Sequence, residues 1–522
     1  MSGLQLALAL SSGGEPPAFV ESRIDVDADR FEYQLSDVDD DRRVDLLVTS
    51  SAPGERSLRL WRQRADSTFP AVPDFRMGVP PDVVSWSLFD VRSEPGRELL
   101  LLTRGGLFSL TTTRPGLQGN LRREIALPLF PDLADPDRLP CWRLHEDVDG
   151  DGEEEFLVVS GRELVALGVA RAADGATCLA PKLRLPISAD EEESSLSRLS
   201  IGNAGLTVTG RSGEAALFPG ARTSRPSFDG EPLFSRRTSF KLPALVDWDG
   251  DRRLDLVEFG PRAISIRRQQ ADSSFAPEAQ ILPNPPPMID ARASGSASRD
   301  YEGREHVDLV DLDGDGRREL VGFRDEGGST TEHVALVFPR DAEGRPAQEP
   351  SARVKLAGMD VEFRFVDVDG DGRLDLTARV LDVPTGLTSL ATIRLDVAFH
   401  VFRGHEGATL SRQPDLSFER SFRPEQLGRV QETLLTRIDG DFDRDGVNDL
   451  VLTQLDGRVE VRTVRRDGER LELAAKPLAS FMPPAPVERM ETWDLSRDGV
   501  ADLMLRHERG FTLFVSKRRE SP

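Results

Sequence analysis

Cysteine is almost missing from this chain: Cys141 and Cys178 are the only two among 522 residues. They form no CxxC pair, so neither a thiolate zinc site nor a disulfide framework is indicated. What remains is one disulfide in an exported chain, or two buried free thiols. Long apolar runs are also missing: none approaches the roughly 18 residues of a membrane-spanning helix, so no transmembrane segment is expected. Positive charge is in deficit, with 67 Lys and Arg against 90 Asp and Glu, for a formal net charge of -23. This argues against nucleic acid and anionic membrane as partners, because both require clustered Lys and Arg. Lysine itself occurs only at Lys182, Lys241, Lys355, Lys476 and Lys517; this is read as genome composition, and no function is attached to it. Two Tyr and five Trp leave few aromatic platforms for a sugar, because most of the 26 Phe are needed for a core.

Linear catalytic signatures are absent too. There is no GxSxG, no HExxH and no P-loop. The six histidines (His145, His306, His333, His400, His405, His507) are scattered. His400 and His405 are close enough to meet across a turn, but nothing nearby completes a site. Propeller active sites can assemble from distant loops, so these absences weigh only mildly against catalysis.

What the chain does have is turns and repetition. It contains 44 Gly and 36 Pro, and 38% of its residues are hydrophobic, which is the composition of many short strands. Its length favours several domains or a repeat architecture. Eight copies of one segment run along it: "DVDDDRRVDLLV" from Asp37, "DVRSEPGRELLL" from Asp90, "DVDGDGEEEFLV" from Asp147, "DWDGDRRLDLVE" from Asp247, "DLDGDGRRELVG" from Asp311, "DVDGDGRLDLTA" from Asp367, "DFDRDGVNDLVL" from Asp441 and "DLSRDGVADLML" from Asp494. Successive starts are 53, 57, 100, 64, 56, 74 and 53 residues apart. Near the middle of the interval of 100 lies "LSIGNAGLTVTGRSGEAALFP", residues 199–219, which reads as a ninth unit that has lost its acids; the alternative is one enlarged unit.

After each acidic segment comes an apolar run, a turn and an alternating segment, the pattern of a hairpin with one buried and one half-exposed strand. Ahead of it lies a further strand, such as "FEYQLS" or "VEFRFV". Each unit therefore supplies three or four antiparallel strands, the size of a propeller blade. The expected fold is all-β: a closed β-propeller of about eight or nine four-stranded antiparallel blades. The last unit stops after its third strand, in "GFTLFVSKRRESP", while "FVESRIDVD", Phe19 to Asp27, is a spare strand ahead of the first unit. The two are expected to share one blade and so close the ring, removing both sheet edges. Residues 1–18, with an apolar stretch from Leu4 to Leu10 and no basic start, read as a disordered or residual signal segment, and residues 19–522 as a single propeller. Insertions are expected at residues 188–195, 283–300 and after 381–387.

Carboxylates at positions 1, 3, 5 and 9 with Gly at 6 describe an oxygen cage for a hard cation, and its irregular geometry suits calcium better than magnesium. The expected ligands are Asp37, Asp39, Asp41 and Asp45; Asp147, Asp149, Asp151 and Glu155; Asp247, Asp249, Asp251 and Asp255; Asp311, Asp313, Asp315 and Glu319; Asp367, Asp369, Asp371 and Asp375; Asp441, Asp443, Asp445 and Asp449; and Asp494, Ser496, Asp498 and Asp502. Arg42 and Arg252 replace the Gly and strain two turns. In the Asp90 copy, Arg92 at position 3 opposes a metal, so no calcium is expected there. An EF-hand is rejected, because position 12 lacks its Glu (Glu258 apart) and the flanks read as strands.

This D-x-D-x-D-G-x-x-D-L pattern followed by a buried strand resembles the FG-GAP or VCBS repeat of integrin α-chain propellers and of many bacterial secreted or surface proteins. The resemblance runs from about residue 19 to residue 517. It implies several structural calcium sites and a place outside the cell, in the periplasm or at the cell surface. It does not fix a function, since adhesins, lectin-like modules and some polysaccharide lyases share the repeat. The expected role is a monomeric, non-catalytic interaction module, with a protein ligand favoured over a glycan. The alternative is a polysaccharide lyase or hydrolase built on the same propeller.

Overall fold

The computed structural model describes residues 19–517, apart from 29, 53–54, 114–119, 129–138, 162, 172–175, 187, 195–199, 203–204, 212–234, 242, 261–262, 286–305, 327–331, 342, 383–394, 423–434, 455 and 469. Every regular element among the described residues is a strand, and no helix is long and apolar enough to cross a membrane. The chain forms eight four-stranded antiparallel blades in a ring. The first seven span 31–78, 83–125, 145–186, 244–283, 306–357, 360–422 and 436–481, and the eighth spans 489–516 together with 19–25.

Within a blade, the strand after the acidic loop is the most apolar. Glu98–Thr103 and Glu155–Ser160 are buried at every residue, as a continuous apolar run between two covered faces requires. The third strand follows the half-exposed expectation in Ala263–Arg267. It departs from it in Gly510–Ser516, where every residue is buried. Phe19–Asp25 pairs along the whole of that strand, from Phe19 opposite Ser516 to Asp25 opposite Gly510. The spare N-terminal strand thus completes the last blade, as the chain ends predicted.

Between blades the core divides into clusters that each straddle a junction. Leu47, Leu58, Trp86 and Leu99 join the first two blades, while Ile24, Val48, Trp61 and Phe511 join the eighth to the first. The third blade packs directly on the fourth through Leu256 and the half-buried Leu245 and Phe275. That contact decides the blade number. Residues 188–241 do form a four-stranded sheet, but in the order Ser188–Ser194, Ser235–Lys241, Gly205–Arg211, Ser200–Gly202, which is not a meander. It is an insertion outside the ring, so the repeat-count preference for nine blades gives way to eight. Of the other expected insertions, most of 283–300 and of the stretch after 381–387 lies outside the described residues, as do residues 1–18.

Cys141 and Cys178 are free thiols. The Cys141 Sγ lies 3.1 Å from Gln34 Oε1, and burial pushes its thiol up to about 11.

Candidate metal centre

The acidic segments are short loops joining the first and second strands of each blade, and they hydrogen-bond to one another around the ring. The N–H of position 8 donates to a position 2 carbonyl in the preceding loop: Val44 to Leu495 (3.3 Å), Arg97 to Val38 (2.9 Å), Leu374 to Leu312 (2.8 Å) and Asn448 to Val368 (2.7 Å), with Ala501 donating to Asp441 instead (2.8 Å). At two further junctions a side chain takes over, Gln269 Nε2 to Val148 O at 2.5 Å and Arg340 Nη1 to Trp248 O at 2.8 Å. The loops therefore lie together on one face.

Each acid has a local task before any ion is considered. In seven loops the position 1 carboxylate accepts the N–H of position 6 at 2.8 to 3.1 Å. In all eight, position 9 accepts the N–H of position 2 at 2.7 to 3.3 Å. In five, its second oxygen also accepts an N–H from the end of the third strand, from Gln63, Gln269, Gly404 or Val464 just past it or from Ser516, its last residue. Position 9 thus clamps the loop to its own hairpin, a role that sequence spacing did not reveal. The curl demands left-handed backbone at position 6, where Gly372 has φ 84° and the substituted Arg42 and Arg252 have φ 68° and 70°. Holding a residue with a Cβ there costs about 1–2 kcal/mol.

The curl brings oxygens together in sets that lie within 4.8 Å of one another: Asp37, Asp39 and Asp41; Asp147, Asp149 and Glu155; Asp247, Asp249 and Asp251; Asp311, Asp313 and Asp315; and Asp367, Asp369 and Asp371. Three hard oxygens at that separation, with the position 9 carboxylate nearby, could hold calcium. Burial, reinforced by the neighbouring acids, pushes the position 9 carboxyls up to about 7 in Asp45, Glu319 and Asp375 and about 8 in Asp449. In Asp502 burial alone does so, to about 7. Acids packed this way resist ionising together unless a cation joins them.

The loops differ in what cation they already have. In three blades an Arg one residue past the third strand, cross-strand from position 9, pairs with the position 3 Asp: Arg62 with Asp39 at 3.0 Å, Arg268 with Asp249 at 3.0 Å and Arg403 with Asp369 at 2.6 Å. Arg268 also reaches Asp255 at 2.8 Å. In the third blade Gly168 stands at that register position. Lys182 crosses over it from the fourth strand and places Nζ 3.0 Å from Asp149, 2.8 Å from Asp151 and 2.8 Å from Glu155. A Cβ at position 168 would lie 2.4 Å from the Lys182 side chain, so the glycine opens its path. Asp498, at position 5 of the last loop, pairs with Arg444 from its neighbour at 3.2 Å. Arg92 turns away from metal chemistry, donating to Ser109 O (2.7 Å), Ser109 Oγ and Asn120 O (2.8 Å). The loops at Asp311 and Asp441 stand apart. Among the described residues the former has one distant ion pair, Arg317 to Asp315 at 3.9 Å, and no ion pair is found for the acids of the latter.

None of this was visible in the acidic motif, yet "WRQ", "RRQ" and "FRG" (Arg62, Arg268, Arg403) carry a common signal, a basic residue just past the alternating strand. Lys182 has no such signal. The histidines make separate local contacts: His400 with Ser417 (2.9 Å), His405 with Ser411 (3.0 Å), His145 with Glu154 (3.0 Å), and the buried His333 with Asp325 (2.7 Å). His400 and His405 thus bond to different partners.

The fold defines the class, an eight-bladed β-propeller. No protein-family model matches the chain, and no curated protein matches it. Among solved structures it is similar to a mutant form of the Photorhabdus luminescens Tc holotoxin pore, at 14% identity and a TM-score of 0.20. The match covers 92% of this chain and 22% of that one.

Proposed function

We propose that this propeller is a calcium-stabilised, non-catalytic interaction module of the FG-GAP or VCBS kind, acting outside the cell or at its surface on a protein partner. The observation that carries the reading is the convergence of position 1, 3 and 5 carboxylates within 4.8 Å in successive loops of one face. Calcium supplies the charge that lets such acids stay ionised together, and an ion held only by the folded ring stabilises it by mass action. The gain is roughly 1 to 3 kcal/mol per site when calcium is a few to a hundred times its dissociation constant. Sites of extracellular modules commonly fill at roughly 0.1 to 1 mM, which favours the calcium-rich exterior.

The ligands would be the carboxylates of positions 1, 3 and 5 with position 9 behind them; Asp311, Asp313, Asp315 and Glu319 form one such set. The non-catalytic part of the reading draws on His145, His333, His400 and His405, each of which faces a different Ser, Asp or Glu side chain at a separate place. Thermal unfolding of the full chain in millimolar calcium, in millimolar magnesium and in excess chelator tests the reading. A midpoint raised by calcium and not by magnesium is expected; identical midpoints in all three would sink it.

A further inference from the structure

We infer that the chain supplies its own cation to most of its acidic loops, so that the calcium-binding capacity of the ring resides in the loops at Asp311 and Asp441. The inference rests on the calcium reading for those two loops and on ion-pair geometry for the others. In the third blade the Lys182 ammonium touches carboxylates of positions 3, 5 and 9 within 3.0 Å, the place and partners a metal would take. Three acids there meet one fixed positive charge, and a divalent ion entering the cage must first displace it.

Arg403 does the same in a drier setting. Its side chain is 7% exposed, its partner Asp369 is fully buried, and Arg466 approaches Asp369 at 3.5 Å as well. Arg268 spans positions 3 and 9 of its loop. Arg62 holds position 3 of the first loop while Arg43 holds position 5. The last loop combines Ser496 at position 3 with Arg444 on Asp498. In the loops at Asp311 and Asp441 the equivalent register positions carry the uncharged Pro339 and Thr463; Arg340 acts on Glu319 and Asp315, and Arg465 on Asp443 and Asp445, only at longer range and without forming an ion pair. The device works by register: the residue opposite position 9 on the third strand decides whether a loop carries its own guanidinium.

The test is calcium titration calorimetry on the chelator-stripped full chain, followed by thermal unfolding. The native chain should take up about two equivalents, Asp313→Asn and Asp443→Asn should each remove about one, and Lys182→Met should add about one. In chelator, Lys182→Met should unfold below the native protein, and calcium should restore it. About seven equivalents on the native chain, unchanged in Lys182→Met, would overturn the inference and leave the calcium reading standing. No uptake by the native chain, with Lys182→Met and Arg403→Met both destabilised, would keep the internal cations and remove the calcium reading. The native count needs no variant, so misfolding of Lys182→Met leaves the inference exposed to refutation.

Discussion

The loops at Asp147 and Asp441 begin "DVDGDG" and "DFDRDG" and keep the same four acidic positions, yet they are electrostatically different. In the first, Lys182 joins three of the acids. In the second, burial and the proximity of Asp443 and Asp441 drive Asp449 up to about 8, with two backbone N–H groups only partly offsetting the rise. A shared motif reports that the chain can build the same curl. Whether the acids of the curl meet a cation from the chain itself depends on a residue from another strand.

The largest test of this difference is pH. A carboxyl whose folded pKa is raised contributes stability that is fully present below its unfolded pKa and is lost as pH rises through the folded value. For Glu319 and Asp449, whose ordinary values are 4.5 and 3.8, that window runs up to about 7 and about 8. In chelator the protein should therefore become more stable as pH falls from about 8 to about 5, by about 1–4 kcal/mol for each such loop. Glu319→Gln and Asp449→Asn should flatten the slope. Glu155→Gln should flatten it less, because Lys182 opposes the effect of burial on Glu155. In millimolar calcium the slope should reverse, since protons then compete with the ion. Denaturant midpoints across this range measure all of these, and a slope indifferent to both calcium and the Glu319 and Asp449 variants would erase the distinction.

A smaller effect separates the two position 3 acids. Asp443→Asn should lower the unfolding midpoint in calcium and leave it level or higher in chelator, because it removes a ligand in one case and a repelled charge in the other. Asp149→Asn should cost about 1–2 kcal/mol in both conditions, having removed one of the partners of Lys182. Equal responses to calcium from the two variants would count against the difference.

The smallest effect belongs to the turns. Arg42→Gly and Arg252→Gly place glycine at left-handed positions and should stabilise the chain by about 1 kcal/mol each, less whatever Gly loses in unfolded-state entropy. Gly372→Ala should destabilise by a similar amount. Urea unfolding in saturating calcium gives these values.

Much of the fold was legible in the chain because repetition made it so. A period of some 55 residues, apolar runs after each acidic segment, a spare strand near the N-terminus and a last unit one strand short specify an all-β ring closed by Phe19–Asp25 on Gly510–Ser516. The blade number was not legible, since residues 199–219 carry a strand pattern that local sequence cannot assign to the ring or to an insertion. The packing of Leu256 and Phe275 against the third blade places the described strands in that stretch, Ser200–Gly202 and Gly205–Arg211, outside the ring.

The acidic loops divide along the same line. The positions of the acids and the left-handed turns are local properties, set by neighbours within nine residues, and the chain by itself determined them. The cation is a non-local property. Arg62, Arg268 and Arg403 reach their loops because antiparallel register places them opposite position 9, and Lys182 because Gly168 leaves room to cross from the next strand. Charge pairing acts through space rather than along the chain, so only the tertiary structure decided which loops have an Arg or Lys paired to their acids and which do not.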